Sequence, residues 1–198
     1  MLPDPIRKFI AVFSELPSIG TRQATRLAFS LIRSGKASID DIARAASDLR
    51  KLKTCSRCFF VHANEGNLCD ICANPKRNPK VVLILERETD LISIEKTRRF
   101  TGRYLVLGEL TKSGTLDPDQ KLRLKAFAAA IRKEIGKADE IIIGFNPTTH
   151  GDVSAATVTR EFDELSQKIT RLGRGIPTGG EIEFADEETL GAALERRI

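Results

Sequence analysis

The stretch that decides the fold is VVLIL, residues 81–85, an unbroken run of aliphatic side chains. Two similar runs follow, YLVL at 104–107 and EIIIGF at 140–145, and KITRLG at 168–173 indicates a fourth strand. Short, continuous apolar runs are typical of strands that are buried on both faces of a parallel sheet. The sequence therefore predicts a sheet of parallel strands from about residue 80 onward.

The segments between these runs have the spacing of helices. Residues 118–136 repeat apolar side chains at helical intervals, and another helix is predicted to begin near Ser154. Strands that alternate with helices in one chain form α/β domains with right-handed crossovers. We therefore expect an α/β domain in this part of the chain.

Acidic and histidine side chains follow two of the predicted strands. Glu86 ends the first strand and Asp90 lies four residues later, while His150 and Asp152 follow the third strand. Carboxylates that converge at strand ends can bind Mg²⁺ for phosphoryl transfer. Acids at strand-to-helix junctions are also ordinary helix N-caps, and Asp152 lies where a cap is expected. These residues alone favour the N-cap interpretation.

All the cysteines lie in TCSRCFFVHANEGNLCDIC, residues 54–72, as two Cys-x-x-Cys pairs separated by ten residues. The predicted metal ligands are Cys55, Cys58, Cys69 and Cys72. Four thiolates complete a closed tetrahedral zinc site, which makes the ion structural. An iron–sulfur cluster, a redox dithiol and four free thiols are alternatives, and the paired spacing favours zinc. His62 lies between the pairs and is interpreted as a bystander.

The composition sets the class of protein. Of the 198 residues, 41% are hydrophobic and 30% are charged, which is typical of soluble globular proteins. No apolar run approaches the ~20 residues that span a bilayer, and the first residues lack a secretion signal. We therefore expect no membrane association and a cytoplasmic protein, whose thiols stay reduced and available to a metal.

The N-terminal residues 1–53 have a helical pattern and carry an excess of basic residues. Residues 1–58 hold 11 Lys and Arg against 5 Asp and Glu, whereas the remainder of the chain is close to neutral. One helix ends at LPSIG (16–20), a second covers about 21–32, and a third begins at a capping box at Ser38. A concentrated basic excess suits a polyanion, although a solvated helix face is a common alternative.

The LPSIG turn joins two helices in the form of a helix-hairpin-helix. The N–H groups of such a turn and of the next helix can bind a phosphate. Arg22 and Arg26 lie four residues apart, hence on one helix face, and are predicted to contact DNA without reading its bases. Turns of this kind also join ordinary helices.

The order of these segments resembles the bacterial recombination mediator family RecR over essentially the whole chain. The stretches that carry the resemblance are LPSIGTRQATRLAFSLI, the cysteine block, FNPTTHGD and RGIPTGGEIEFADEETLGAALERR. The resemblance implies an α/β multidomain protein with an N-terminal helix-hairpin-helix (1–53), a four-cysteine zinc clip (54–79), a Toprim-type parallel α/β domain (80–175) and a C-terminal tail (176–198). The tail is then expected to be a subunit interface.

The resemblance also implies a function. The family forms a homo-oligomer, usually a ring tetramer around DNA, and acts with RecO, and in many bacteria RecF, to load recombinase onto single-stranded DNA. It is not known as an enzyme. The positions of Arg22 and Arg26 match the family's basic residues for DNA, the four cysteines match its zinc ligands, and Glu86 and Asp90 match its Toprim acids.

This chain departs from the family at two places. The family usually has Asn-Pro-Thr-x-Glu-Gly-Glu where this chain has NPTTHGD, so His150 and Asp152 replace two glutamates. GELTKSGTLDP stands where the family has a Ser-Pro-Leu motif. These changes affect the acidic surface expected to meet partner proteins. A Toprim phosphoryl-transfer enzyme, such as a nuclease or primase fragment, and a zinc-stabilised interaction module without DNA binding remain alternatives.

Overall fold

The computed structural model describes residues 2–195 and residue 197. Its contacts divide the chain into two compact units, Met1–Leu52 and Lys53–Ile198. The four segments expected from the sequence stay a prediction, because the two units do not resolve the inner boundaries.

The first unit is helical. It contains α1 (Asp4–Ser14), α2 (Thr21–Ser34) and α3 (Lys36–Asp48), followed by a 3₁₀ turn at Leu49–Lys51. The predicted capping box at Ser38 is wrong, since α3 begins at Lys36. Gly35 has φ +87°, a conformation that glycine adopts without strain, so the chain turns directly from α2 into α3.

This unit buries little on its own. Only Ala24 and Ala28 are fully buried among its described residues, and the rings of Phe9 and Phe13 stack with centroids 3.9 Å apart. Large apolar side chains remain exposed on all three helices, including Val12, Ile32 and Ile42. Three short helices therefore leave much apolar surface uncovered in the single chain.

The second unit contains the predicted parallel sheet, which confirms the α/β fold. Its strands are β3 (Asn78–Leu85), β4 (Gly102–Val106), β5 (Ala138–Gly144) and β6 (Ser166–Arg171), in the spatial order β4-β3-β5-β6. All three pairings are parallel, and the predicted runs at 81–85, 104–107, 140–145 and 168–173 overlap the four strands.

Helices connect these strands. They are α5 (Glu88–Lys96), α6 (Pro118–Glu134) and α7 (Thr149–Phe162), and a 3₁₀ turn at Ile182–Phe184 and α8 (Glu187–Glu195) complete the tail. α7 begins five residues before the predicted Ser154. The reason is Thr148, whose side chain accepts a hydrogen bond from the Gly151 N–H at 3.1 Å and so caps the helix there.

The cysteine segment belongs to this second unit. Its short strands β1 (Lys53–Thr54) and β2 (Val61–His62) pair antiparallel, and α4 (Asp70–Ala73) follows them. Alternate residues of a strand face opposite sides of a sheet. Accordingly Val82 and Ile84 of β3 pack with α6 and α7, whereas Leu83 and Leu85 pack with the four cysteines. The cysteine segment therefore covers one face of the sheet.

Candidate functional site

The four predicted cysteine ligands converge on one point. Their sulfur atoms lie within 4.8 Å of one another, all four residues are buried, and the Sγ atoms of Cys58 and Cys69 are 3.5 Å apart. Zinc–sulfur bonds of about 2.3 Å in a tetrahedron place sulfurs about 3.8 Å apart. We call Cys55, Cys58, Cys69 and Cys72 the cysteine cluster; its residues fit one metal ion.

Local backbone geometry aims these side chains. The Cys55 N–H donates to the Phe60 carbonyl at 2.8 Å, and the Phe59 N–H donates to the Cys55 carbonyl at 3.0 Å, which closes a tight turn around Cys58. Phe59 has φ +62°, a left-handed conformation uncommon for a bulky residue. On the other side, Cys69 directly precedes α4, so Cys72 lies one turn along the same helix.

Electrostatics within the cysteine cluster also favour a cation. Hydrogen bonds from Cys58 and Cys72 lower the pKa of Cys69 to about 2. The hydrogen bonds of Cys58 with Cys69 and Cys72, together with burial, raise the pKa of Cys58. One thiolate is thus stabilised by its neighbours, and further negative charge is opposed until a metal ion provides positive charge. Four sulfur donors suit zinc or an iron–sulfur centre rather than magnesium.

His62 stays outside the converging ligand atoms. Its ring is buried, Nδ1 accepts a hydrogen bond from the Asn64 N–H at 3.2 Å, and Nε2 has no partner among the described residues. The interpretation of His62 as a bystander stays a prediction.

Ion pairs attach the cysteine segment to the rest of its unit. The Arg57 guanidinium donates to the Cys72 carbonyl at 3.0 Å and to Glu134 of α6 at 3.0 Å, and Arg103 of β4 binds Glu134 at 2.8 Å. Burial would raise the pKa of Glu134, but the hydrogen bonds from both arginines hold it below its usual range. The sequence carries no signal for this contact, since Arg57 and Glu134 lie 77 residues apart.

At the carboxyl ends of the strands, the Glu86 carboxylate is hydrogen-bonded within the chain. Its side chain is 2% exposed and accepts hydrogen bonds from the Asn146 backbone N–H at 2.6 Å and from the Asn146 Nδ2 at 3.3 Å. Asp90 accepts a hydrogen bond from the Arg87 N–H at 2.9 Å and caps α5. The acid at position 90 thus has the capping role that the sequence allowed, and Asn146 is a residue that sequence reasoning missed.

Asp152 does not cap α7, so that expectation is wrong. It lies at the fourth residue of the helix, and its carboxylate accepts hydrogen bonds from Arg171 at 2.6 Å and Arg174 at 2.8 Å. Arg174 also pairs with Glu188 of α8, which links the tail to the sheet. His150 is half-buried in the first turn of α7. Within the described residues, the cysteine cluster is the one group of three or more metal-binding side chains whose ligand atoms converge.

The predicted DNA-contacting residues lie at the start of α2. Arg22 and Arg26 are exposed, and neither has an acidic partner in the part of the chain that the structure describes. The turn before them includes Ser18 with φ +64°, and the Gly20 N–H donates a hydrogen bond to the Gln23 side chain at 3.2 Å. The N–H groups of Thr21 and Arg22 open a 14-residue helix, whose N-terminus carries partial positive charge.

Fold and cysteine cluster together define the class: a Toprim-type α/β protein with a four-cysteine metal site. Residues 80–173 match the family model described as Toprim domain, and residues 175–198 match the model described as RecR, C-terminal. The described helices include none with the length and apolar character that a membrane crossing requires.

Curated relatives extend this similarity to the whole chain. The chain is 36% identical over 197 residues to Recombination protein RecR of Herpetosiphon aurantiacus, covering 98% of this chain and 94% of that protein. It is 34% identical to Recombination protein RecR of Myxococcus xanthus, covering 100% and 98% of the two chains, and 37% identical to that of Roseiflexus castenholzii, covering 100% and 95%. The chain belongs to the RecR family of recombination proteins.

Proposed function

We propose that this chain is a non-catalytic, sequence-independent DNA-binding adaptor in recombinational DNA repair. It forms a ring-shaped homo-oligomer and acts with RecO, and with RecF in cells that have it, to help load recombinase onto single-stranded DNA. The observation that carries the proposal is the exposed pair Arg22 and Arg26 at the N-terminus of α2, in a chain of the RecR family.

The role of the pair follows from electrostatics. Each guanidinium can neutralise one phosphate and release a condensed counterion, and neither has to abandon an ion pair with another described residue to do so. Two such contacts bind weakly at physiological salt. Several copies in one oligomer raise the effective concentration of the remaining contacts once the first has formed. A ring therefore needs only a small phosphate-binding surface on each subunit.

A structural zinc ion in the cysteine cluster is part of the same proposal. The residues that would hold it are Cys55, Cys58, Cys69 and Cys72, and a closed four-thiolate site supplies folding free energy rather than chemistry. The chain's own residues arrange the site: Arg57 holds the carbonyl of Cys72, and Val106 holds the carbonyl of Cys58 through its N–H at 2.8 Å.

The side chains at the carboxyl end of the sheet lend little support to a phosphoryl-transfer enzyme. Glu86 is turned toward Asn146, and the two arginines that bind Asp152 compete with any cation there. We assign this surface, with Asp90, His150 and Asp152 around the buried Glu86, to contacts with partner proteins.

The test is DNA binding by the double variant Arg22→Glu/Arg26→Glu, measured by fluorescence anisotropy over a range of salt concentrations. We expect the slope of log K against log salt to fall by about two units and the affinity at low salt to fall at least tenfold. The control is Lys8→Glu/Arg50→Glu, which makes the same charge change at two exposed positions of the same unit. An equal loss in both double variants would contradict the assignment, and so would Mg²⁺-dependent cleavage of the DNA.

A further inference from the structure

The second unit carries a basic surface that its overall charge conceals. Residues 59–198 are nearly neutral in sum, but the two segments 74–80 and 95–103 together hold seven basic residues and one acidic residue. The fold brings the two segments side by side. The Asn78 N–H donates to the Thr101 carbonyl at 2.9 Å, and the Arg77 guanidinium donates to the Phe100 carbonyl at 3.1 Å.

Three of the seven cations are neutralised within the unit. Arg77 pairs with Glu95, Arg103 pairs with Glu134, and Lys80 lies 4.0 Å from Asp139. The other four are exposed and have no carboxylate partner among the described residues. We call these four the body patch: Lys76, Lys96, Arg98 and Arg99.

A groove of about 260 Å³ lies within this surface. Lys76 and Arg98 line it from the two segments, with Phe100 and the paired Arg77 and Glu95 between them. An open groove with free cations from two segments has the elements of a site for a sugar-phosphate strand, because such cations can contact phosphates. The Phe100 ring packs against Tyr104, with centroids 4.9 Å apart.

Arg98 lies exposed just after the end of α5. It has φ +56°, the left-handed conformation that ends α5 and that glycine adopts without strain. The Arg98 N–H donates to the Glu95 carbonyl at 3.0 Å, whereas its side chain has no hydrogen bond or ion pair among the described residues. Lys96 already places a positive charge at the C-terminal end of α5, so Arg98 is not needed to complement the helix dipole. The Arg98 side chain is therefore available to an external anion.

We propose that the body patch is a second phosphate-contacting surface, and that it binds single-stranded nucleic acid through Lys76, Arg98 and Arg99. This inference rests on the proposed function, because the ligand is the same class of polyanion. Contact with phosphates makes the surface sequence-independent and salt-sensitive.

The experiment uses the full-length variant Lys76→Gln/Arg98→Gly/Arg99→Gln with a labelled oligonucleotide of mixed sequence, in a salt titration. We expect the slope of log K against log salt to fall by about two units and the affinity at low salt to fall about tenfold. The control is Lys121→Gln/Lys125→Gln/Arg132→Gln, which removes three exposed positive charges from α6. Arg98→Gly alone separates binding from folding, because it relieves the left-handed strain: it should weaken DNA binding while the Tm stays the same or rises.

The outcomes distinguish this inference from the proposed function. If the wild type binds DNA and loses affinity in Arg22→Glu/Arg26→Glu, yet the body-patch variant binds as the wild type does, the inference is overturned and the proposed function stands. An equal loss in the α6 control also overturns it, since general charge would then explain the effect. A body-patch variant that binds DNA normally but fails to bind an acidic partner protein overturns it as well, in favour of a protein-docking surface. If the wild type ignores DNA at low salt, the proposed function itself fails.

Discussion

At the scale of single residues, Glu95 joins three elements of the second unit. Its carboxylate accepts hydrogen bonds from Arg77, which precedes β3, at 2.9 Å and from the Tyr104 hydroxyl of β4 at 2.5 Å. Burial would raise the pKa of Glu95, but the hydrogen bonds from Arg77 and Tyr104 hold it below its usual range. Burial and the neighbouring carboxylate raise the pKa of Tyr104. The hydrogen bonds of Arg77 and Tyr104 therefore depend on the negative charge of Glu95.

Glu95→Gln should destabilise the protein by about 1–3 kcal/mol, because it leaves Arg77 and Tyr104 with a weaker acceptor. The folded pKa of Glu95 is lowered, so the wild type's advantage is present above the ordinary glutamate pKa of 4.5 and is lost as pH falls through the folded value. Urea unfolding of both proteins, at pH values from about 3 to about 7, measures the difference in their free energy of unfolding. This range brackets ordinary carboxyl pKa values.

Glu161→Gln is the matched control for this substitution, since Glu161 is exposed and makes no recorded hydrogen bond within the described residues. A difference between wild type and Glu95→Gln that stays constant down to the lowest pH would contradict the charged role of Glu95.

At the scale of elements, the cysteine segment acts as a layer of the second unit. The cysteine cluster packs with Leu83, Leu85 and Tyr104 on the face of the sheet opposite α6 and α7. Segments this short and polar bury too little apolar surface to fold alone, so the metal ion proposed for the cysteine cluster would stabilise them. Loss of the metal should therefore destabilise the sheet as well as the cysteine segment.

Cys69→Ser is expected to lower the metal content to near zero and the Tm by about 10 °C or more, because both the ion and the packing of the sheet face are lost. Metal analysis and circular dichroism of the purified variant measure these effects. Ser56→Ala, next to a ligand in the same segment, is the control and should retain both. A Cys69→Ser protein with full metal content and the wild-type Tm would show that the cysteine cluster does not stabilise the fold.

Elements with a local signature could be predicted from the sequence, and those made by distant contacts could not. The strands and the cysteine cluster depend on short apolar runs and on Cys-x-x-Cys spacing, which are local. The start of α3 was mispredicted because Gly35 turns the chain before Ser38 can cap it. The start of α7 was mispredicted because Thr148 caps the helix, which begins at Thr149, five residues before Ser154. Asn146, Arg57 and Glu134 carry no local signal, since their partners are fixed only when the sheet assembles.

The distribution of charge along the sequence likewise predicts only part of the candidate site. Arg22 and Arg26 could be proposed from the sequence because they share one helix face in a basic segment. Lys76 and Arg98 could not, because the acidic residues elsewhere in the second unit cancel them in any sum over the sequence. Only the pairing of Asn78 with Gly102 in the parallel sheet brings their two segments together.

At the scale of the whole molecule, each unit leaves apolar side chains exposed in the single chain. In the first unit these include Val12 and Ile32, and in the tail of the second unit they include Ile182 and Phe184, which are 69% and 79% exposed. Exposed apolar surface of this extent is typical of chains that associate. It supports the proposed homo-oligomer, in which the tail is a subunit interface.

Ile182→Ser/Phe184→Ser should reduce the oligomer mass without lowering the stability of the single chain, because both side chains are exposed within it. Native mass spectrometry compares the distribution of multiples of the 21.9 kDa chain in the variant and the wild type. Leu122→Ser, at an exposed apolar position of α6, is the control and should keep the wild-type distribution. An unchanged distribution in the tail variant would exclude the tail from the subunit interface.

The hydrogen bond from Val106 to Cys58 has a consequence for quality control in the cell. β4 is an outer strand of the sheet, and its unpaired side would offer a template for misassembly with other chains. The Cys58 carbonyl occupies one position along that side, so the loop that contains Cys58 covers that position. With the proposed zinc ion in the cysteine cluster, zinc starvation would loosen this loop. We then expect freshly made protein to aggregate or to require chaperones before the proposed DNA-binding function is lost.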